Sequence, residues 1–155
     1  MIDERQFRNA MGKFATGITV VTTEHEGETM GMTVNAFMSV SLDPKLIAVS
    51  IGNQARMYTT LQKTKEFGVS ILSADQQDYS MVFAKQKESD EPIPFTTLGG
   101  VPVLKGALAT VSCKVKETVE AGDHLIFIAE VTDLEVNEGA PILYYGGRYR
   151  KLRSE

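Results

Sequence analysis

A mostly β protein, folded as an antiparallel barrel with helices at its periphery, is the architecture this sequence predicts. Three observations point to it. Apolar and β-branched runs recur as six or seven strand-like segments. Only three helical segments separate them, without the strand–helix alternation of a parallel sheet. No Gly-x-Gly-x-x-Gly follows a strand, and no Gly-rich loop ends in Lys-Ser or Lys-Thr, so the phosphate loops of doubly wound folds are missing.

Residues 3–14 read as the first helix, with Phe7, Ala10, Met11 and Phe14 at helical spacing, Asp3 as cap and Gly17 as stop. Residues 18–23 are rich in β-branched side chains and form a strand, and His25-Glu26-Gly27-Glu28 is a hairpin turn. Residues 30–41 continue as one second strand, small and polar at its centre, ended by Asp43-Pro44. Residues 46–51 are a third strand, followed by the turn Gly52-Asn53-Gln54. A short helix over 56–65, a strand over 67–72 and a Ser73-capped helix over 75–84 follow. Residues 85–100 are charged and Pro-containing and read as a long loop, a length more often functional than accidental.

From Ala107 to Lys116 apolar and polar residues alternate, so Ala109, Val111, Cys113 and Val115 face inward. Residues 119–123 break that run. Residues 125–136 begin apolar on both faces, as a central strand does, and 141–145 add a last short strand before a basic tail.

The 155 residues, 43% hydrophobic and 23% charged, make one domain spanning 1–155, large enough to bury about 70% of its unfolded surface. The net charge of −4 argues against a nucleic-acid partner, and the tail cations Arg148, Arg150, Lys151 and Arg153 are the one positive cluster. No apolar run approaches a membrane span, and the first residues lack a signal-peptide core, so a cytoplasmic protein is expected. The lone cysteine, Cys113, excludes an internal disulfide and suits a core thiol. With His25 and His124 it gives little material for a zinc site, and no metal is expected.

Three places can carry chemistry. Residues 31–41 hold small and polar side chains that let a backbone approach a flat ligand, and Asn35 offers both donor and acceptor. The other reading is a sheet edge whose Thr, Asn and Ser face water. Ser50-Ile51-Gly52, followed by Arg56 and Thr59 at a helix start, can hold a phosphate, or can be a plain helix start with a solvated Arg. Gly122-Asp123-His124 puts a histidine at the mouth of a strand, facing a ligand or bonded to its own turn. No second catalytic group stands at a fixed spacing from it, so no triad is built on it.

The ordered set of these pieces is more specific than any one. Phe7-Arg8, Phe14 to Thr23, Gly31 to Pro44, Ser50-Ile51-Gly52, Phe83-Ala84, Gly122-Asp123-His124 and Gly147-Arg148-Tyr149 run nearly end to end. In them the chain resembles the short-chain flavin reductases, the small components of two-component flavin-dependent monooxygenases such as those acting on phenol and 4-hydroxyphenylacetate. The resemblance implies a flavin-binding split β-barrel of Greek-key type, paired as a homodimer. It implies hydride transfer from NADH, less usually NADPH, to FAD or FMN, with reduced flavin passed to a separate oxygenase in aromatic catabolism.

It also implies roles. Met32, Thr33, Val34, Asn35, Ala36 and Ser39 contact the isoalloxazine and ribityl chain, and Ser50, Ile51 and Gly52 add backbone contacts. Arg56 and Thr59 hold the phosphate region, Phe83 and Ala84 cover another side, and His124 and Tyr149 lie on the nicotinamide side. No residue acts as acid or base, because the two rings carry the chemistry. One departure stands out: many members have Gly after Phe-Ala, and this chain has Lys85, which can reach a diphosphate and so suit FAD. Rival readings are a non-enzymatic flavin-binding electron carrier on the same barrel, a pyridoxine-phosphate oxidase type and a plain interaction module. The second lacks a denser basic site for a phosphorylated substrate.

Overall fold

The computed structural model describes residues 1–154. In chain order the elements are α1 (Glu4–Met11), β1 (Thr19–His25), β2 (Glu28–Val34), β3 (Phe37–Leu42), β4 (Lys45–Gly52), α2 (Arg56–Thr64) and β5 (Glu66–Ile71). A 3₁₀ turn (Ala74–Gln76), α3 (Gln77–Phe83), β6 (Phe95–Leu98), β7 (Val101–Leu104), β8 (Ala109–Ala121), β9 (His124–Val136), β10 (Ile142–Tyr145) and β11 (Arg148–Lys151) follow. Seven strands form one antiparallel sheet in the order β2-β1-β5-β8-β9-β4-β3, and β6–β7 and β10–β11 are separate hairpins. No helix among the described residues is long and apolar enough to cross a membrane.

The sheet rolls upon itself. Met30 and Val34 of β2, at one edge, share a core with Ile47, Val49 and Ile51 of β4, near the other, and with Phe67, Val69, Cys113 and Phe127 between them. Burial of these side chains is the main drive for closure, at about 1.5–3 kcal/mol for each large one. Burial also pushes the Cys113 thiol up to about 12, so it stays protonated as a core residue.

A second cluster lies outside the barrel: Ile18, Val20, Leu72, Leu104 and Ile142, with Phe83, Phe95, Tyr144 and Tyr149 packed on it. Strand β1 is therefore covered on both faces, which explains its unbroken β-branched run.

Several expectations are corrected. Helix α1 starts at the expected cap, where Asp3 accepts from the Gln6 N–H at 2.7 Å, but it ends at Met11 with Gly12 as cap. Phe14 lies beyond it, and the helix buries none of its residues, so its apolar stripe has no partner within the chain. The predicted strand over 30–41 is two strands, broken at Asn35-Ala36. There the Ala36 carbonyl turns to accept from the Ser50 N–H at 3.0 Å.

The expected loop over 85–100 ends early, because β6 and β7 form a hairpin across Gly99-Gly100. This hairpin covers the outer face of the sheet and buries Thr110 and Ser112, which alternation had placed in water. Ser112 satisfies its hydroxyl with Thr132 at 2.8 Å. The run that 119–123 was expected to break continues to Ala121. The basic tail is in part β11, so eleven strands stand among the described residues, not six or seven.

Candidate active site

A cavity of about 760 Å³ opens where the β2–β3 break meets the chain between α1 and β1. That volume is within the roughly 300–1,000 Å³ of small-molecule sites. Phe14 to Thr19 form one wall, Asn35 to Met38 a second, and Ala48 to Ser50 with Ile71 and Ile126 the floor. The walls are mostly apolar. No Asp, Glu, His, Lys, Arg or Cys lines it.

Its polar groups are few. The Thr16 Oγ1 is buried with no hydrogen-bond partner among the described residues. The Asn35 amide bonds to no protein group there either. A smaller cleft of about 170 Å³ adjoins it, with Ile18 and Asn35 common to both. Thr33, Ser80, Ala84, Gln86, Tyr144 and Tyr149 complete that cleft.

The cleft is held by hydroxyls. Thr33 donates to the Ser80 carbonyl at 2.6 Å, and the Ser80 and Tyr149 hydroxyls bond at 2.9 Å. This chain of bonds fixes α3 and β11 to β2. Tyr149 also meets Tyr144 edge-on, with ring centroids 5.5 Å apart.

Of the sequence-predicted residues, Asn35, Ala36 and Ser50 line the cavity, and Thr33, Ala84 and Tyr149 line the cleft. Val34 and Ile51 point into the barrel core, so only their backbone faces outward. Met32 packs against that core as well, and Ser39 sits at the β3 bulge outside the cavity wall. Phe83 packs against β2 at Gly31. A Cβ at Gly31 would stand 2.6 Å from its ring, so that glycine makes room for it. The ring meets Phe95 at 6.1 Å, which makes Phe83 a packing anchor.

Gly52 and His124 are directly paired across β4 and β9. The imidazole would be 3.5 Å from a Cβ at Gly52 and lies on the same sheet face as Ser50 and Ile126. Two residues further along each strand, it is about 7 Å from them. His124 Nδ1 donates to the Asp123 carboxylate at 2.7 Å. That bond, with the imidazole's charge, holds the Asp123 carboxyl below its usual value. The Asn53 N–H to the Asp123 carbonyl, 2.9 Å, ties this turn to the entry of α2. Arg56 begins α2 and pairs with Glu28 at 3.2 Å, and Thr59 donates to the Arg56 carbonyl. None of Gly52, Arg56, Thr59, Lys85 or His124 lines the cavity itself.

Lys85 follows α3 with φ at 60°, the left-handed region that favours glycine. Lys85→Gly is expected to stabilise the fold by about 0.5–1 kcal/mol, the relief of that conformation less glycine's larger unfolded entropy. Thermal unfolding checks it, with a Tm rise of about 2 °C expected.

Sequence reasoning missed Thr16, Ser80, Tyr144, Ile71 and Ile126. Thr16 lies between Phe14, where the expected helix ends, and the strand expected from residue 18. Its one local signal is the Thr-Gly pair, since both residues disfavour a helix interior.

Comparison with known proteins gives the family. Residues 11–153 match the flavin reductase like domain family. An NADH-dependent flavin reductase of a Rhodococcus species is 43% identical over 148 residues, covering 94% of this chain and 84% of that one. The structure of the flavin reductase PheA2 in its native state superposes with a TM-score of 0.96 at 54% identity, covering 99% of this chain and 100% of that one. The styrene monooxygenase flavin reductase of Pseudomonas putida S12 gives 0.90 at 41%, covering 96% and 98%. This chain therefore belongs to the flavin reductase like domain family.

Proposed function

We propose that this protein is an NADH-dependent flavin reductase that supplies reduced FAD or FMN to a separate monooxygenase. The observation that carries this reading is a large, mostly apolar cavity without a single titratable side chain. Such a site suits reactants that bring their own chemistry. The residues fit a flavin: the apolar walls match a planar ring, and the unpartnered Thr16 hydroxyl and Asn35 amide supply donors for its polar edge. When bound, the flavin and the nicotinamide supply the redox step, a hydride passing from one ring to the other.

The chain's part is to bind and align. Asn35 reads the ring edge from the junction of cavity and cleft. Ser50 and the backbone of Val34 and Ile51 border the floor. In this reading Arg56 and Thr59 hold a phosphate, and Lys85 a diphosphate. If Lys85 serves that end, Lys85→Gly weakens FAD several-fold and leaves FMN unchanged, an outcome separate from its effect on stability. Tyr149 and His124 form the nicotinamide side, and Asp123 fixes the imidazole's orientation. His124→Ala is expected to raise the KM for NADH about fivefold and to change kcat by less than about twofold. A fall in kcat larger than the rise in KM would reject the positioning role.

A homodimer is part of the proposal. Phe14, 79% exposed, and Met38, 59% exposed, stand at the cavity wall, and Phe7, Met11 and Leu42 are exposed as well. An apolar surface of that extent suits a second copy that would close the cavity. Light scattering is expected to give twice the 17.0 kDa chain mass, and Phe14→Glu to shift it toward the monomer. The buried thiol and the dinucleotide substrate suit the reducing cytoplasm.

NADH oxidation with and without excess free flavin tests the main reading. Turnover that rises with flavin supports it. Bound flavin without turnover would favour an electron carrier.

A further inference from the structure

Five cations of this chain have carboxylate partners: Arg8, Arg56, Lys87, Lys114 and Lys116. Eleven of the sixteen Lys and Arg residues have none among the described residues, and Lys13, Arg148 and Arg150 are three of these. These three are gathered at one place. The Lys13 Nζ is 5.9 Å and the Arg150 Cζ 5.7 Å from the centre of the Tyr145 ring. Arg148 is the cross-strand partner of Tyr145. The Gly146 N–H donates to the Gly12 carbonyl at 2.9 Å and so joins the hairpin to the end of α1. Three cations from two distant parts of the chain thus share one tyrosine, which holds two of them by cation–π attraction.

Their position matters. Lys13 precedes Phe14 of the cavity wall, and Arg148 and Arg150 share the β11 face opposite the one that carries Tyr149 into the cleft, so the cations stand beside the site and not in its lining. The rest of the chain opposes its substrates: the net charge is −4, and NADH, FMN and FAD are all phosphate anions. A local positive field beside a site raises the rate of capture of such ligands.

We propose that Lys13, Arg148 and Arg150 form a capture site for the phosphates of the nucleotide substrates. The inference rests on the reductase reading for its ligands, and its test separates the two. The wild type and a Lys13→Gln/Arg148→Gln/Arg150→Gln variant are compared in NADH oxidation at about 20 and 300 mM salt, across roughly one Debye regime. The variant is expected to show a KM about three- to tenfold higher at low salt, kcat within about twofold, and a flatter salt dependence of kcat/KM.

Two arms identify which nucleotide is caught. With riboflavin, which has no phosphate, as acceptor, a KM effect for NADH that persists assigns the site to the dinucleotide. An effect on the flavin KM that is present with FMN and lost with riboflavin assigns it to the flavin phosphate. Calorimetry with inorganic pyrophosphate reads the site without turnover, and the variant is expected to bind it several-fold more weakly. A folded variant with wild-type pyrophosphate affinity and an unchanged salt dependence would overturn the capture site while leaving the reductase reading intact. A wild type that binds pyrophosphate through these residues but never oxidises NADH would overturn the reductase reading instead.

Discussion

Gly68→Ala is expected to lower the Tm by about 6–12 °C. Gly68 lies in β5, between β1 and β8, on the face that the β6–β7 hairpin covers. A Cβ there would stand 2.6 Å from the Pro102 carbonyl, 2.6 Å from Val103 and 3.0 Å from the Thr22 hydroxyl. The first of these is backbone and cannot rotate away. It is also the acceptor of the buried Thr22 hydroxyl, so moving the hairpin breaks that bond. Overpacking of this kind costs about 1–3 kcal/mol, and a backbone obstacle puts it near 3. For a chain of this size each kcal/mol is about 2–4 °C. Gly17→Ala is the control, since nothing lies within 4 Å of its Cβ. Equal melting temperatures for the two variants would show that the hairpin is not seated on Gly68.

Asn35→Ala carries the largest expected effect on the site. Its side chain is exposed, bonds to no protein group among the described residues, and lines both cavity and cleft. Removing it leaves the fold without a broken contact, so the Tm is expected to stay within about 1 °C. A bound flavin loses a donor and an acceptor at its ring edge, worth about 1.5–2 kcal/mol together. The dissociation constants of FMN and FAD are therefore expected to rise about ten- to thirtyfold. Fluorescence titration reads them, and unchanged affinity for both flavins would remove Asn35 from the site.

The core was legible where chemistry and periodicity agree. The β-branched run at 18–23 needs two buried faces, and β1 has them. The helix over 56–65 shows its buried face, Met57 and Leu61, in its spacing. Short elements were not legible. Strand β7 contains Pro102, which argues against a strand in any sequence reading and is tolerated here because β7 stands in a two-stranded hairpin. Strand β11, Arg-Tyr-Arg-Lys, has no apolar alternation and forms because β10 offers a partner and Tyr149 a ring to pack on Tyr144.

The candidate site divides in the same way. Residue types alone marked Asn35, Ser50 and the Gly-Asp-His turn, because a polar amide or hydroxyl among small neighbours is a local property. Composition and charge likewise pointed to a single acidic domain with a core thiol and one basic cluster. Which of the marked side chains share a cavity is a different matter. Residues 14–19, 35–38, 48–50, 71 and 126 meet only because the sheet order brings their strands together. The same rolling turns Val34 and Ile51 inward while Thr33, Ser50 and Gly52 stay outward. Strand alternation is written in the chain, but which face becomes the inside is set by the closure that buries the apolar one.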